Sequence, residues 1–320
     1  MTNKEEYRRI CEDASNQIPI YSQYWWMDAV CTGKEWDVII SRKEDGTILA
    51  TLPYLVCKKF GFKFTLMPPL TQTNGIHYFY PNLKDEREKL EFEKNVGNDV
   101  VRQLEQKGLT LFLQNFAPKV TNWLPFYWNG YTQTTRYTYV IDDLNDTERV
   151  FEKFASAKQR QIRKAQKNRL QTAINALTPS EFYAYHKQLI EKQGKKEEIA
   201  ENVFLTLATR ALERNQGAIL SITGEQGETQ AALFLVWDLT TCYYLVPAND
   251  RKYSTTGAAT LLVWEAIRFA RERSKKFDFE GSMTESIENS YNQFGTRQTA
   301  YMQIRKGYNL AGKIWLYKHQ

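Results

Sequence analysis

Two carboxylates stand at the end of an apolar run, Asp278 and Glu280 in Phe277-Asp278-Phe279-Glu280-Gly281-Ser282, where a strand would deliver them to a cleft as candidate general bases. Period-two alternation sets Asp278 and Glu280 on one face and Phe277 and Phe279 on the other. Earlier in the chain, Ser254-Thr255-Thr256-Gly257-Ala258-Ala259 carries no bulky side chain. It feeds a helical pattern with Leu261, Leu262, Ile267 and Phe269 on a broad apolar stripe. A loop of small residues at a helix start can meet an anion, because the first amides are unpaired and the dipole is positive there. These six residues are therefore candidates for holding a phosphate-bearing donor. They also fit a tightly packed strand-to-helix turn, the plainer reading of the loop by itself.

The elements that must carry these residues come in two similar series. Residues 38–40 and 48–56 are apolar runs flanking Glu44-Asp45-Gly46, which predicts a hairpin. Residues 85–107 read as a helix stopped by Gly108, and 109–116 and 135–143 as strands. In the second half a helical stretch from Glu181 to Arg214, breaking near Gly194, precedes a hairpin turning at Glu225-Gln226-Gly227-Glu228. A strand containing Pro247, a helix over 257–273, the Asp278 strand and a final aromatic strand then follow in the order of the first half. The order predicts two copies of one α/β unit with a mixed sheet. The expected boundaries are 1–145, 146–305 and a tail, 306–320, that packs back on the first unit with Trp315 buried.

Between the two copies, residues 150–169 read as a helix with a basic set at Lys158, Arg160, Arg163, Lys164, Lys167 and Arg169. That set suits phosphates on a substrate, and it also suits a solvated helix face. The chain has 320 residues, 42% of them hydrophobic and 14% aromatic, enough for two cores and against extended disorder. No apolar run is long enough to span a bilayer and the start lacks a signal-peptide pattern, so a cytoplasmic location is expected. The scattered Cys11, Cys31, Cys57 and Cys242 fit reduced thiols, and the dispersed His77, His186 and His319 give no support for a metal site. A lone histidine such as His186 more often packs than catalyses. No cysteine or serine has a histidine at the spacing of a nucleophile pair.

The ordered set AKQRQIRKAQKN, LIEKQGKK, the second hairpin, GAATLLVWEAIRFA, FDFEGS and SYNQFG resembles the tandem GNAT acyltransferases. Within these the likeness is to the Fem-like peptidyltransferases and the related BioF2-like, or cellulose-cluster, acetyltransferases. It covers most of the chain and is clearest over 157–306. The resemblance implies two GNAT-like units, the second binding an acyl donor at the loop before its long helix. The family loop Gln/Arg-x-x-Gly-x-Gly/Ala is kept at Gly257 and Ala259, with Ser254 replacing the first residue. The family pattern Tyr-x-x-x-Gly falls on Tyr291 and Gly295, and implies that Tyr291 protonates a departing thiolate. The corresponding residue before Gly130 is Phe126, which cannot donate a proton, so the first unit is expected to be degenerate.

By that resemblance the chain is expected to move an acyl group from acyl-CoA, with acetyl-CoA the preferred donor, to an amine such as an amino sugar or a cell-envelope precursor. Tyr291 and Glu280 are the expected catalytic residues, Ser282 and Asp278 the expected substrate contacts, and no metal is required. A Fem-like reaction using aminoacyl-tRNA and a peptidoglycan precursor is the alternative. The span 178–217 holds only two helices, without the long arm some such enzymes carry. A non-catalytic protein that binds a sugar or peptide is a further reading, and RNA binding without catalysis comes last.

Overall fold

The computed structural model describes residues 2–281 and 283–319. The chain opens with α1 (Asn3–Glu12) and α2 (Tyr24–Val30), then β1 (Glu35–Arg42), β2 (Ile48–Lys59), β3 (Phe62–Phe64), β4 (His77–Tyr78), α3 (Glu86–Glu105), β5 (Leu111–Phe116) and α4 (Leu124–Trp128). After β6 (Thr132–Ile141) come α5 (Thr147–Glu152), α6 (Ser156–Lys167), β7 (Gln171–Ile174), α7 (Pro179–Lys192) and α8 (Glu201–Glu213). The chain then forms β8 (Gly217–Thr223), β9 (Thr229–Trp237), β10 (Thr241–Asn249), α9 (Ala258–Arg271), β11 (Lys276–Asp278) and α10 (Glu285–Asn292). It ends with β12 (Arg297–Gly307) and α11 (Leu310–Lys318). Two compact units result, one of residues 1–136 with 300–320 and one of residues 137–299, so the divisions fall inside β6 and β12.

In the first unit the strand order is β1-β2-β3-β5-β12, with β4 also on β2. The β1–β2 turn closes because Lys43 N–H donates to Thr47 O and Thr47 N–H to the Asp45 carboxylate. Helix α3 starts where Asp85 accepts from Glu88 N–H, and it lays Val96, Val100 and Leu104 on Leu52, Tyr54 and Phe112. Strand β5 runs parallel to β3, and its antiparallel partner is taken from the far end of the chain, Met302–Gly307. Phe126 on α4 is fully buried, with its ring 5.0 Å from Phe116 at the end of β5.

The second unit orders its strands β6-β11-β10-β9-β8-β7, with β10–β11 the parallel pair. The result in each unit is the expected α/β fold with a mixed sheet. Helix α9 covers this sheet with Leu262, Ala266 and Ile267 on Leu233, Leu235 and Phe277. Strand β11 is short because it ends against β6: Phe279 N–H still donates to Tyr139 O, and Gly281 then lies so close that a Cβ there would sit 1.7 Å from Tyr137 O. Only glycine tolerates that approach.

Trp315 differs from expectation. Gly312 is the residue α11 seats on Thr110 O, which leaves Trp315 half-buried and stacked on His319 at 4.2 Å rather than buried. Among the described residues no helix is long and apolar enough to cross a membrane.

Candidate active site

In the second unit β10 parts from β11. Their parallel register covers only Thr241–Tyr243 with Lys276–Asp278, after which β11 stops and β10 continues to Asn249. A bulge helps to turn β10 away: Tyr243 faces Val236 on β9, but the next register position pairs Val246 with Phe234. The extra residue bends one strand at the mouth of a parallel pair. Backbone donors of β10 beyond Tyr243 thus have no β11 partner in the register.

Asp278 and Glu280 stand at that parting, in different roles. The Thr138 hydroxyl donates to Asp278 Oδ1, and Glu280 N–H donates to the same oxygen at 2.8 Å. Asp278 is therefore held as a bracket between β6 and the chain turn. Burial pushes its carboxyl up to about 6, opposed by the Thr138 and Glu280 donors. The strand does not continue through Glu280, so the expected alternation over both carboxylates fails: Glu280 adopts φ 58, in the left-handed region a non-glycine residue enters at a cost of roughly 1–2 kcal/mol. Its Oε1 is buried and has no hydrogen-bond partner. Burial raises this carboxyl well above the ordinary range.

Tyr291 comes from the last turn of α10, packed on Phe279 at 4.9 Å and near Tyr244 at 6.3 Å and Tyr139 at 6.2 Å. Burial, then Tyr244, Glu280 and Asp278, raise its phenol above the ordinary value, so it stays protonated at neutral pH. Its hydroxyl makes no hydrogen bond among the described residues. The pattern Tyr-x-x-x-Gly has a local cause: Tyr291 O receives Phe294 N–H, and Gly295 closes the turn against Lys153. The first unit repeats the packing without the chemistry, since Phe126 replaces the tyrosine and, on the same packing alignment, Ala117 replaces Glu280.

The small-residue loop is partly a packing device. Gly257 caps α9 at φ 89, and a Cβ there would meet Gln161 O at 2.3 Å and Ala165 Cβ at 3.2 Å. Thr260 Oγ1 donates to Gln161 Oε1 at 2.6 Å, fixing the same α6–α9 crossing. Thr256 Oγ1 donates to Tyr253 O and receives Ala258 N–H. The residues left facing solvent are Ser254 and Thr255, with Ala259 half-buried. The first in-helix bond of α9 is made by Leu261 N–H to Gly257 O, so the amides of Ala259 and Thr260 precede it.

Other expected positions separate from this site. Ser282 lies outside the described residues. His186 places Nδ1 2.8 Å from Glu197 Oε2 and stacks on Phe182. Of the basic set on and after α6, Arg160, Arg163, Lys164, Lys167 and Arg169 are exposed. Lys158 instead turns inward, its ammonium 4.7 Å from the Phe294 ring centroid and 3.5 Å from Ser290 Oγ on α10, and burial lowers its pKa. Sequence reasoning grouped Lys158 with the solvated charges, and a position one helical turn before the buried Ile162 was the available signal. A groove of about 560 Å³ lies along β7 and the end of α9, lined by Thr172, Ile174, Arg268 and Arg271, away from Glu280 and Tyr291. Among the described residues no group of three His, Cys, Asp or Glu is arranged to hold a metal ion.

Comparison with known proteins gives a consistent picture of the fold. No curated protein matches the sequence. The solved structure of FemX superposes with a TM-score of 0.73 at 11% identity, covering 100% of this chain and 99% of that one. The C-terminal domain of a putative lysylphosphatidylglycerol synthetase from Agrobacterium fabrum gives 0.60 at 10% identity, covering 98% and 96%. A tandem GNAT protein from the clavulanic acid biosynthesis pathway gives 0.52 at 10% identity, covering 95% and 94%. Residues 153–285, which carry α6, α9, β11 and Glu280 but not Tyr291, match the family model of an acetyltransferase (GNAT) domain.

Proposed function

We propose that the second unit is an N-acyltransferase that moves an acyl group from acyl-CoA, acetyl-CoA first, to an amine on an amino sugar or a cell-envelope precursor. The observation that carries this reading is Glu280: a buried, unpartnered carboxylate oxygen on a left-handed residue, where β10 leaves β11 and beside a protonated phenol. A fold with no use for that oxygen has no reason to keep it dry. The GNAT match over 153–285 and the likeness to tandem GNAT folds support the same reading.

The donor thioester enters where β10 parts from β11, its carbonyl oxygen turned to the β10 amides and its phosphates to Ser254, Thr255 and the start of α9. Gly257 and Ala258 shape that turn, and Thr256 braces it. The acceptor amine attacks the thioester carbon and Glu280 takes the proton it loses. Burial makes the ionised Glu280 carboxylate a stronger base than an ordinary one, and it is that form which takes the proton. Collapse of the tetrahedral intermediate breaks the C–S bond, and Tyr291 gives its proton to the thiolate. Amide, protonated Glu280 and tyrosinate remain, and proton exchange with solvent restores both side chains. Asp278 holds the Glu280 peptide, and Ser282 keeps its sequence-based assignment as a contact for the donor carbonyl or a water.

Aminoacyl-tRNA is the second donor, favoured by the five exposed basic residues on and just after α6 and by the full-length likeness to FemX. Thermal-shift measurements with acetyl-CoA, longer acyl-CoAs and an aminoacyl-tRNA analogue separate the two. Acetyl-CoA is expected to raise Tm by at least ~1–2 °C, because a ligand bound only by the folded state stabilises it. A shift with the tRNA analogue alone moves the assignment to the second donor, and no shift with any donor favours a sugar- or peptide-binding protein.

A further inference from the structure

One end of the first unit displays apolar side chains that the fold does not need. Strand β2 turns into β3 through two residues, Phe60 and Gly61, with Lys59 paired to Phe62. Both loop residues have positive φ, 50 and 78, the backbone of a type I′ turn, which favours Asn-Gly. Phenylalanine at the first position is strained, and its side chain is 87% exposed. Phe62 is 46% exposed beside it. Strain and exposure at one residue, with only the neighbouring Lys59 ammonium near its ring, mark a side chain kept for an outside contact.

The same end carries α11, a helix apolar nearly all round. Gly312 faces the body of the unit, and the opposite stripe holds Leu310, Ile314 and Tyr317, which are 74%, 48% and 78% exposed. At 100° per residue Lys313 and Lys318 flank that stripe on its two sides. Both features hang on Thr110: its N–H donates to Lys63 O, its carbonyl receives Tyr308 N–H, and its hydroxyl receives Asn309 Nδ2.

Charge selects the occupant. The hairpin tip is framed by Lys58, Lys59 and Lys63, and the sequence has no Asp or Glu between Asp45 and Asp85 or after Glu288. Lys58 pairs with Glu35, while the Lys59 ammonium lies 5.3 Å from the Phe60 ring centroid. Exposed aromatic and aliphatic tips ringed by lysines match a surface that is anionic outside and apolar beneath.

We propose that this end of the first unit, the Phe60–Phe62 hairpin tip together with the outer stripe of α11, docks on an anionic phospholipid surface. The rings and aliphatic chains enter the headgroup layer and the lysines stay at its charged boundary. The test is sedimentation of the full chain with phosphatidylcholine vesicles containing roughly one-third phosphatidylglycerol, against pure phosphatidylcholine. Wild type is expected to bind the anionic vesicles at least about tenfold more strongly, with salt weakening the binding.

Phe60→Asn is expected to weaken binding by about tenfold while Tm stays level or rises, since Asn-Gly suits the turn. Leu310→Ser with Ile314→Ser gives an independent loss from the other side of the patch. Absence of binding to anionic vesicles, or binding that neither variant weakens, overturns the proposal. So does a dimer in sedimentation velocity that the Leu310→Ser/Ile314→Ser variant dissolves, because a second copy then covers the face. None of these readouts depends on acyl transfer.

Discussion

Tyr291→Phe is expected to slow acyl transfer by roughly 10²–10⁴-fold, the range of a positioned general acid. Tm should stay within about 1–2 °C of wild type, because the hydroxyl has no hydrogen-bond partner among the described residues while the ring supplies the packing on Phe279 and Tyr244. The ring stays in the variant and the proton does not. Thiol release from acetyl-CoA, followed with an amine acceptor, reads the first quantity and a melting curve the second. Full turnover in the variant removes Tyr291 from the chemistry. A large fall in Tm would make its role structural.

Glu280→Gln should do something most substitutions do not: lose activity and stabilise the fold. The folded carboxyl is raised well above its unfolded value by burial, so between those two values the folded chain holds a proton that the unfolded chain has released. Wild-type stability therefore falls as pH rises through that window, by roughly 1.4 kcal/mol for each unit of elevation. Asp278 adds a slope of the same sign between 3.8 and about 6. Gln at 280 is neutral throughout, so the variant should gain on wild type progressively from about pH 5 upward while acyl transfer drops by roughly 10²–10⁴-fold. Urea midpoints measured across that range check the slope. Parallel curves for variant and wild type would mean that the carboxylate is not desolvated, and the general-base assignment would lose its basis.

Much of the architecture was legible because it is local. Asp45-Gly46 and Gln226-Gly227 announce turns, Asp85 and Gly108 bracket α3, and apolar spacing at Leu262, Ala266 and Ile267 marks the face of α9 that meets the sheet. The repeat could be read from element order, and its packing counterpart is the pair Phe116–Phe126 in one unit and Phe279–Tyr291 in the other. What could not be read depends on partners distant in sequence. Nothing in residues 302–307 says that their neighbour is β5, and nothing in residues 140–141 says that theirs is β11. The left-handed turn at Glu280 precedes the close approach of Gly281 to Tyr137 O, a contact with no sequence signature beyond a glycine. Lys158 and Trp315 fail for a related reason: one long side chain found an aromatic ring across the unit, and one tryptophan lost the seat on Thr110 to Gly312.

The central claim is that the donor lies where β10 parts from β11, with Glu280 and Tyr291 at its reacting end. Hydrogen–deuterium exchange with and without acetyl-CoA tests it directly. The account predicts slowed exchange in the β10 peptide covering 244–249, whose edge has no β11 partner, and at the start of α9. Protection confined to the groove along β7 and the end of α9, with β10 unchanged, would contradict it.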